Sequence, residues 1–303
     1  MTDSAKPRSD SKPHSDSKPH SDSKPRSGGS ARSSLLTLLG EFVLPSGGGV
    51  WTSTLVEALG LLGYGEQNAR QATARLLDQG LLERAAHGRR TRWTLSEAGE
   101  RLLADGTQRI YGFQAESEPW NGRWLLVLSS VPDAQRGVRH QLRRRLGFLG
   151  FGSLSGGVSI SPHTAREQAA IGVLRGLDLD AGTFLLKAEA TTLTSPDQII
   201  AAAWDLPALA DRYKRFTHHF ADIADIAGES SDDAPDAAAS FVALAGLVDA
   251  WRRFPFEDPE IPAELLGSEW PGRAAKACFD DCHRAWSRAA RQWWSDQEAA
   301  SAR

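Results

Sequence analysis

Between Glu66 and Leu95 the apolar spacing changes period, and this change constrains the fold more than any other feature of the chain. Ala69, Ala72, Thr73, Leu76 and Leu77 recur at helical spacing, which predicts a helix over Glu66–Gln79 with that stripe buried. Gly80 stops it. Strand formers then flank His87-Gly88, in Leu81–Ala86 and Arg89–Leu95, where glycine suits a tight turn. Two helices come first. Ser33 or Ser34 can cap Leu35–Leu44, and Thr52 or Ser53 can cap the next, with Leu55, Ala58, Leu59 and Leu62 inward. Ser96 caps a last helix, Glu97–Ile110. Helix, helix, helix, hairpin is the order of a winged helix-turn-helix.

Such a fold presents one helix to the DNA major groove, where Arg, Asn and Gln match base edges. The predicted outward face of the third helix carries Asn68, Arg70, Gln71 and Arg75. His87, Arg89, Arg90 and Arg92, at the hairpin turn, suit phosphate or minor-groove contact. From Glu66 to Arg92 there are six arginines against three acidic residues. Trp51 and Trp93 are expected to pack between hairpin and helices.

Domain organisation follows from composition. Within residues 1–32, Ser9–Arg26 repeats Ser-Asp-Ser-Lys-Pro-His with a period of six and Thr2–Ser30 holds no large apolar side chain, so the segment is read as a disordered tail. Residues 33–117 form the winged helix-turn-helix. Residues 118–195 read strand (Trp124–Ser130), helix (Ala134–Leu146), hairpin around Gly156-Gly157, helix (Thr164–Gly176) and strand (Thr183–Ala190), the order of a ferredoxin-like domain. Residues 196–303 read as helices over Asp197–Ala203, Pro207–Ile226, Ala237–Phe254 and Gly272–Ala300, with an acidic linker near 222–236. The fold class is α+β.

The net charge is −3, so DNA affinity has to come from a local patch. Two cysteines exclude a disulfide scaffold and point to a reducing compartment. No apolar run suits a membrane span, the N-terminus lacks a secretory core, and a cytoplasmic protein is expected.

Other patterns carry no chemistry. Gly150–Gly156 looks like a dinucleotide loop but precedes a hairpin, not a helix. Asp133 has no acidic neighbour to share a metal and is read as a helix cap. Cys278, Cys282 and His283 lack a fourth ligand and do not share one helix face. No catalytic residue, metal or cofactor is expected. Arg136, Arg139, Arg143, Arg144 and Arg145 make one helix strongly basic; a solvated face, a DNA backbone contact and an anion site all fit.

The ordered motifs Ser33-Ser34-Leu35-Leu36-Thr37-Leu38-Leu39-Gly40, Asn68-Ala69-Arg70-Gln71-Ala72, Trp120-Asn121-Gly122-Arg123-Trp124, Leu146-Gly147-Phe148-Leu149-Gly150-Phe151-Gly152, Trp204-Asp205-Leu206 and Arg252-Arg253-Phe254-Pro255-Phe256-Glu257-Asp258-Pro259 resemble the PaaX family, repressors of phenylacetate degradation. Asn121 stands where that family's pattern suggests Asp. The resemblance covers the chain from Ser33 onward. It implies a central domain similar to Cas2, a helical C-terminal domain, a homodimer, double-stranded operator DNA as partner, and release by an aryl-CoA such as phenylacetyl-CoA. Such an effector needs cations beside an apolar slot. Trp251, Arg252 and Arg253 offer one such cluster; Tyr213, Arg215, His218 and His219 offer another. The competing readings are a Cas2-like metal-dependent nuclease and a DNA-binding regulator governed by a protein partner.

Overall fold

A computed structural model describes residues 29–114, 119–229 and 236–303. The six-residue repeat and the centre of the acidic segment lie outside the described residues. The chain is α+β, with a three-stranded and a four-stranded sheet among many helices.

The first block contains α1 (Ala31–Leu38), β1 (Gly49–Trp51), α2 (Thr52–Leu61), α3 (Glu66–Asp78), β2 (Leu82–His87), β3 (Arg90–Leu95) and α4 (Glu97–Tyr111). Two expected caps differ. Ser30, not Ser33 or Ser34, caps α1 by accepting from the Ser33 amide, so the helix starts earlier and its last part loosens into a π-turn, Leu39–Val43. Trp51 holds the cap position of α2; Thr52 instead donates to the Thr91 carbonyl and accepts from Trp93 Nε1 at 2.9 Å. Ser96 caps α4 as expected. Gly99, in its first turn, is required by contact: a Cβ there would lie 2.1 Å from the Leu81 carbonyl oxygen.

The second block is β4 (Arg123–Leu128), α5 (Arg136–Phe148), β5 (Gly152–Ser153), β6 (Val158–Ser161), α6 (Glu167–Arg175) and β7 (Phe184–Glu189). Its sheet runs β5-β6-β4-β7 with every pair antiparallel. Leu125 and Val127 face α5 and α6, where Leu142, Leu146, Ala170 and Leu174 close one core. Trp124 and Ile160 face the other way, onto Ile200 and Ile261. The cap position of α5 is Gln135, not Asp133, because a 3-10 turn over Asp133–Gln135 precedes it.

Helices α7 (Pro196–Ala203), α8 (Leu206–Glu229), α9 (Ala237–Trp251), α10 (Phe254–Glu257), α11 (Ala263–Leu266) and α12 (Gly272–Ala302) follow. The acidic segment is partly helical: α8 continues to Glu229, and Asp236 caps α9. The helix expected over Ala237–Phe254 breaks after Trp251, and Phe254-Pro255 starts a separate turn, since proline's ring and missing N–H suit a first turn.

One apolar core runs from the first block into these helices. Phe42 stacks on Trp294 at 4.8 Å, Phe241 on Trp293 at 4.1 Å, and buried Trp251 donates to the Ile110 carbonyl at 3.1 Å. Each such side chain contributes about 1.5–3 kcal/mol on burial. Glu41 is buried in the same seam. Burial pushes its carboxyl up, but hydrogen bonds from His283 and Tyr111 and the charges of His283 and Arg291 outweigh that and hold it below the usual carboxylate range.

Candidate nucleic-acid interface

Helix α3 has two unlike faces. Ala69, Ala72, Thr73 and Leu76 are buried, while Asn68, Arg70, Gln71 and Arg75 are exposed. Thr73 keeps its hydroxyl inside by donating to the Ala69 carbonyl at 2.9 Å. Arg70 forms an exposed pair with Glu66, one turn back, at 2.7 Å; surface pairs of this kind contribute little. The tight connection from α2 is set by Gly63, at φ 88°, with Tyr64 donating to the Gly29 carbonyl at 2.8 Å.

Strands β2 and β3 pair from Leu82↔Leu95 to His87↔Arg90, with Gly88 at φ 63° in the turn. β1 adds a third strand on the other side of β3. The structure therefore brings His87, Arg89, Arg90 and Arg92 to one end of a sheet edge-joined to α2. They are not equivalent. Arg92 donates to the Gly49 carbonyl at 3.2 Å and is half-buried. Arg90 and Arg92 both lie over the Trp51 ring, at 5.4 and 5.5 Å, and His87 meets that ring edge-on. Arg89 is exposed, with no partner among the described residues.

The last turn of α12 reaches this sheet. Arg90 donates to the Ser301 carbonyl, the Trp51 amide donates to Glu298 at 3.1 Å, and Ser53 and Thr54 meet the Ser301 hydroxyl. Sequence reasoning missed this contact, because nothing local in Glu298 or Ser301 signals a partner more than two hundred residues away.

The residues expected to hold an effector are divided. Tyr213 and Trp251 are fully buried among Phe216, Phe254 and Phe279. Burial pushes the Tyr213 hydroxyl up, and it donates to Asp258 at 2.5 Å. Arg252 points inward, to Asp249 at 2.9 Å and to the Ser33 hydroxyl. Arg215, His218, His219 and Arg253 are exposed, with His218 3.5 Å from Asp222. The aromatic rings thus face the core while most of the cations face solvent. Two depressions lie elsewhere: a groove of about 750 Å³ along α12 beside His283, Arg288 and Arg291, and one of about 540 Å³ beside Ile200, Trp204 and Leu206.

Cys278 and Cys282 are 4.0 Å apart and face α8 backbone carbonyls; burial pushes the Cys282 thiol up to about 12. Among the described residues no group of three or more His, Cys, Asp or Glu is placed to hold a metal, and no helix is long and apolar enough to cross a membrane.

Comparison with known proteins places family resemblance on all three blocks. Residues 30–99 match the family model described as PaaX-like protein, 117–200 the PaaX protein central Cas2-like domain, and 204–296 the PaaX-like protein C-terminal domain. The chain is 28% identical over 250 residues to the transcriptional repressor PaaX of Escherichia coli K12, covering 82% of this chain and 77% of that one. A solved structure of the uncharacterized protein Rv0674 from Mycobacterium tuberculosis aligns with a TM-score of 0.56 at 23% identity, over 88% of this chain and 99% of that one, a likeness of fold.

Proposed function

The chain belongs to the PaaX family, and we propose that it is a sequence-specific transcriptional repressor that reads operator DNA through a winged helix-turn-helix. The observation that carries this reading is the outer face of α3, where Asn68, Gln71 and Arg75 are uncovered on a helix whose other face is buried. In this reading α3 enters the major groove, Gln71 and Arg75 meet base edges, and Arg89 and Arg90 on the wing meet phosphate.

One such unit reads too few base pairs for high specificity, so the operator is an inverted repeat bound by a homodimer. The family resemblance extends the proposal to an operon for aromatic catabolism, most simply phenylacetate, and to release by an aryl-CoA. The effector acts by binding the low-affinity conformer better. Arg215, His218, His219 and Arg253 are the exposed cations available for its phosphates, while Tyr213, Trp251 and Arg252 act through packing.

The test is footprinting on the promoter regions flanking the gene, with Arg75→Ala beside wild type. Protection of two half-sites about 34 Å apart, or a multiple of it, with a loss of roughly 1–3 kcal/mol and relaxed base preference in the variant, supports the reading. A single asymmetric site, or a variant indistinguishable from wild type, overturns it.

A further inference from the structure

We propose that the outer face of α5 is a second surface for the phosphate backbone of duplex DNA, flanking the half-site read by α3. The inference rests on the DNA-binding reading above and adds to it a surface in the central domain.

Helix α5 has thirteen residues, RGVRHQLRRRLGF, with five arginines and no acidic residue. Arg136, Arg143, Arg144 and Arg145 are exposed and make no ion pair with any described residue. Arg145 donates only to a backbone carbonyl, that of Gly176, at 3.5 Å. Helix stability does not account for this composition. Arg136 sits in the first turn, where the positive end of the helix dipole disfavours a cation. Arg139 stands apart from the four exposed arginines: it is half-buried and donates to the Val131 carbonyl at 2.7 Å. By contrast, Arg284 on α12 is neutralised by Asp281 at 2.8 Å, and Arg101 on α4 lies beside Glu97.

The geometry fits an extended polyanion. Arg136, His140 and Arg143 fall along one line of the helix, with Arg144 beside it. From Arg136 to Arg143 the helix rises roughly 10 Å, about three nucleotides of one strand at roughly 3.4 Å each. Arg136, His140, Arg143 and Arg144 are all exposed, so the row is an open surface.

The row is also held against the reading head. Arg109, at the end of α4, lies 4.0 Å from the Phe148 ring of α5 and 5.0 Å from the Phe256 ring, and donates to the Pro255 carbonyl at 2.8 Å. Phe148 is the last residue of α5, so this clamp ties the basic helix to the block that contains α3.

The experiment measures binding of the full chain to a 40-base-pair duplex of arbitrary sequence between 50 and 200 mM salt, for wild type and R136A/R143A/R144A. A phosphate row predicts a slope of log affinity against log salt that is less steep by about 2 to 3 in the variant, because each lost contact removes about 0.9. The lysine variant R136K/R143K/R144K keeps the wild-type slope, which a purely structural role for the guanidinium groups would not produce. Equal slopes in wild type and alanine variant overturn the row while leaving the winged-helix reading intact. Absence of salt-dependent binding by wild type overturns both.

Discussion

Arg90 donates through Nη1 to the carbonyl oxygen of Ser301 at 2.9 Å, so the β2–β3 hairpin and the last turn of α12 share one hydrogen bond. A cation at a helix C-terminus is favoured by the dipole and by the carbonyls left without intrahelical donors. The same α12 carries Glu41's partners His283 and Arg291 further back. Any displacement of α12 along its axis therefore reaches the β2–β3 hairpin directly.

Arg90→Ala is expected to weaken binding to operator and non-operator duplexes by the same factor and to make the salt slope less steep by about 1. The Ser301 bond is exposed and neutral on one side, so the stability cost is about 0.5–1.5 kcal/mol. Salt titrations on two unrelated duplexes check the first expectation. A change in base preference would move Arg90 from phosphate to base readout.

Arg252→Ala should act on the fold and not on a ligand. Its guanidinium meets Asp249, whose side chain is 6% exposed, and the Ser33 hydroxyl, while Thr37 donates to the same carboxylate at 3.5 Å. Removing the arginine leaves a buried carboxylate without its cation, at a cost of about 2–4 kcal/mol. Urea denaturation checks this, and adding Asp249→Asn should recover part of the loss. A fully stable single variant would return Arg252 to the candidate effector residues.

The order of elements was legible because each is short-range. The 3.6-residue stripe of α3, the Gly88 turn and the Ser96 cap are all set within a few residues. So was the exposure of Asn68, Gln71 and Arg75, since the buried stripe fixes the opposite face. What stayed illegible depends on distant chain. Tyr213 and Trp251 sit beside cations in sequence, yet helical geometry turns the rings into a core shared with Phe254 and Phe279. The start of α1 was misplaced because three serines compete for the cap, and only the Ser33 amide meeting Ser30 decides between them.

Deleting residues 1–28 is expected to leave the melting temperature and operator affinity unchanged. The repeat offers no apolar side chain to bury. Extending the deletion through Ser30 removes the α1 cap and the Gly29 carbonyl that Tyr64 uses, at a cost of about 1 kcal/mol or more. Thermal melts of both truncations check the difference. A drop of several degrees with the shorter deletion would give the repeat a structural role.

His163 provides a pH dependence whose sign can be worked out. Its ring lies between blocks, with Nε2 3.1 Å from the Pro259 carbonyl. Burial lowers its pKa, the neighbouring Arg166 charge lowers it further, and the carbonyl only partly offsets them. The folded chain thus prefers the neutral ring, and a ring N–H then donates to Pro259. Below the unfolded value of about 6.5 the unfolded chain binds more protons than the folded one. Stability from this group is therefore full above that pH and falls as the solution is acidified through it. Arg166 stays in place throughout, held by Glu260 and by the Leu149 carbonyl at 2.9 Å. His163→Gln keeps a donor for Pro259 but cannot take up the proton. Urea denaturation at pH 7.5 and 5.5 should show wild type losing more stability than the variant over that interval. Equal losses would mean that the ring is as easily protonated in the folded chain as in the unfolded one.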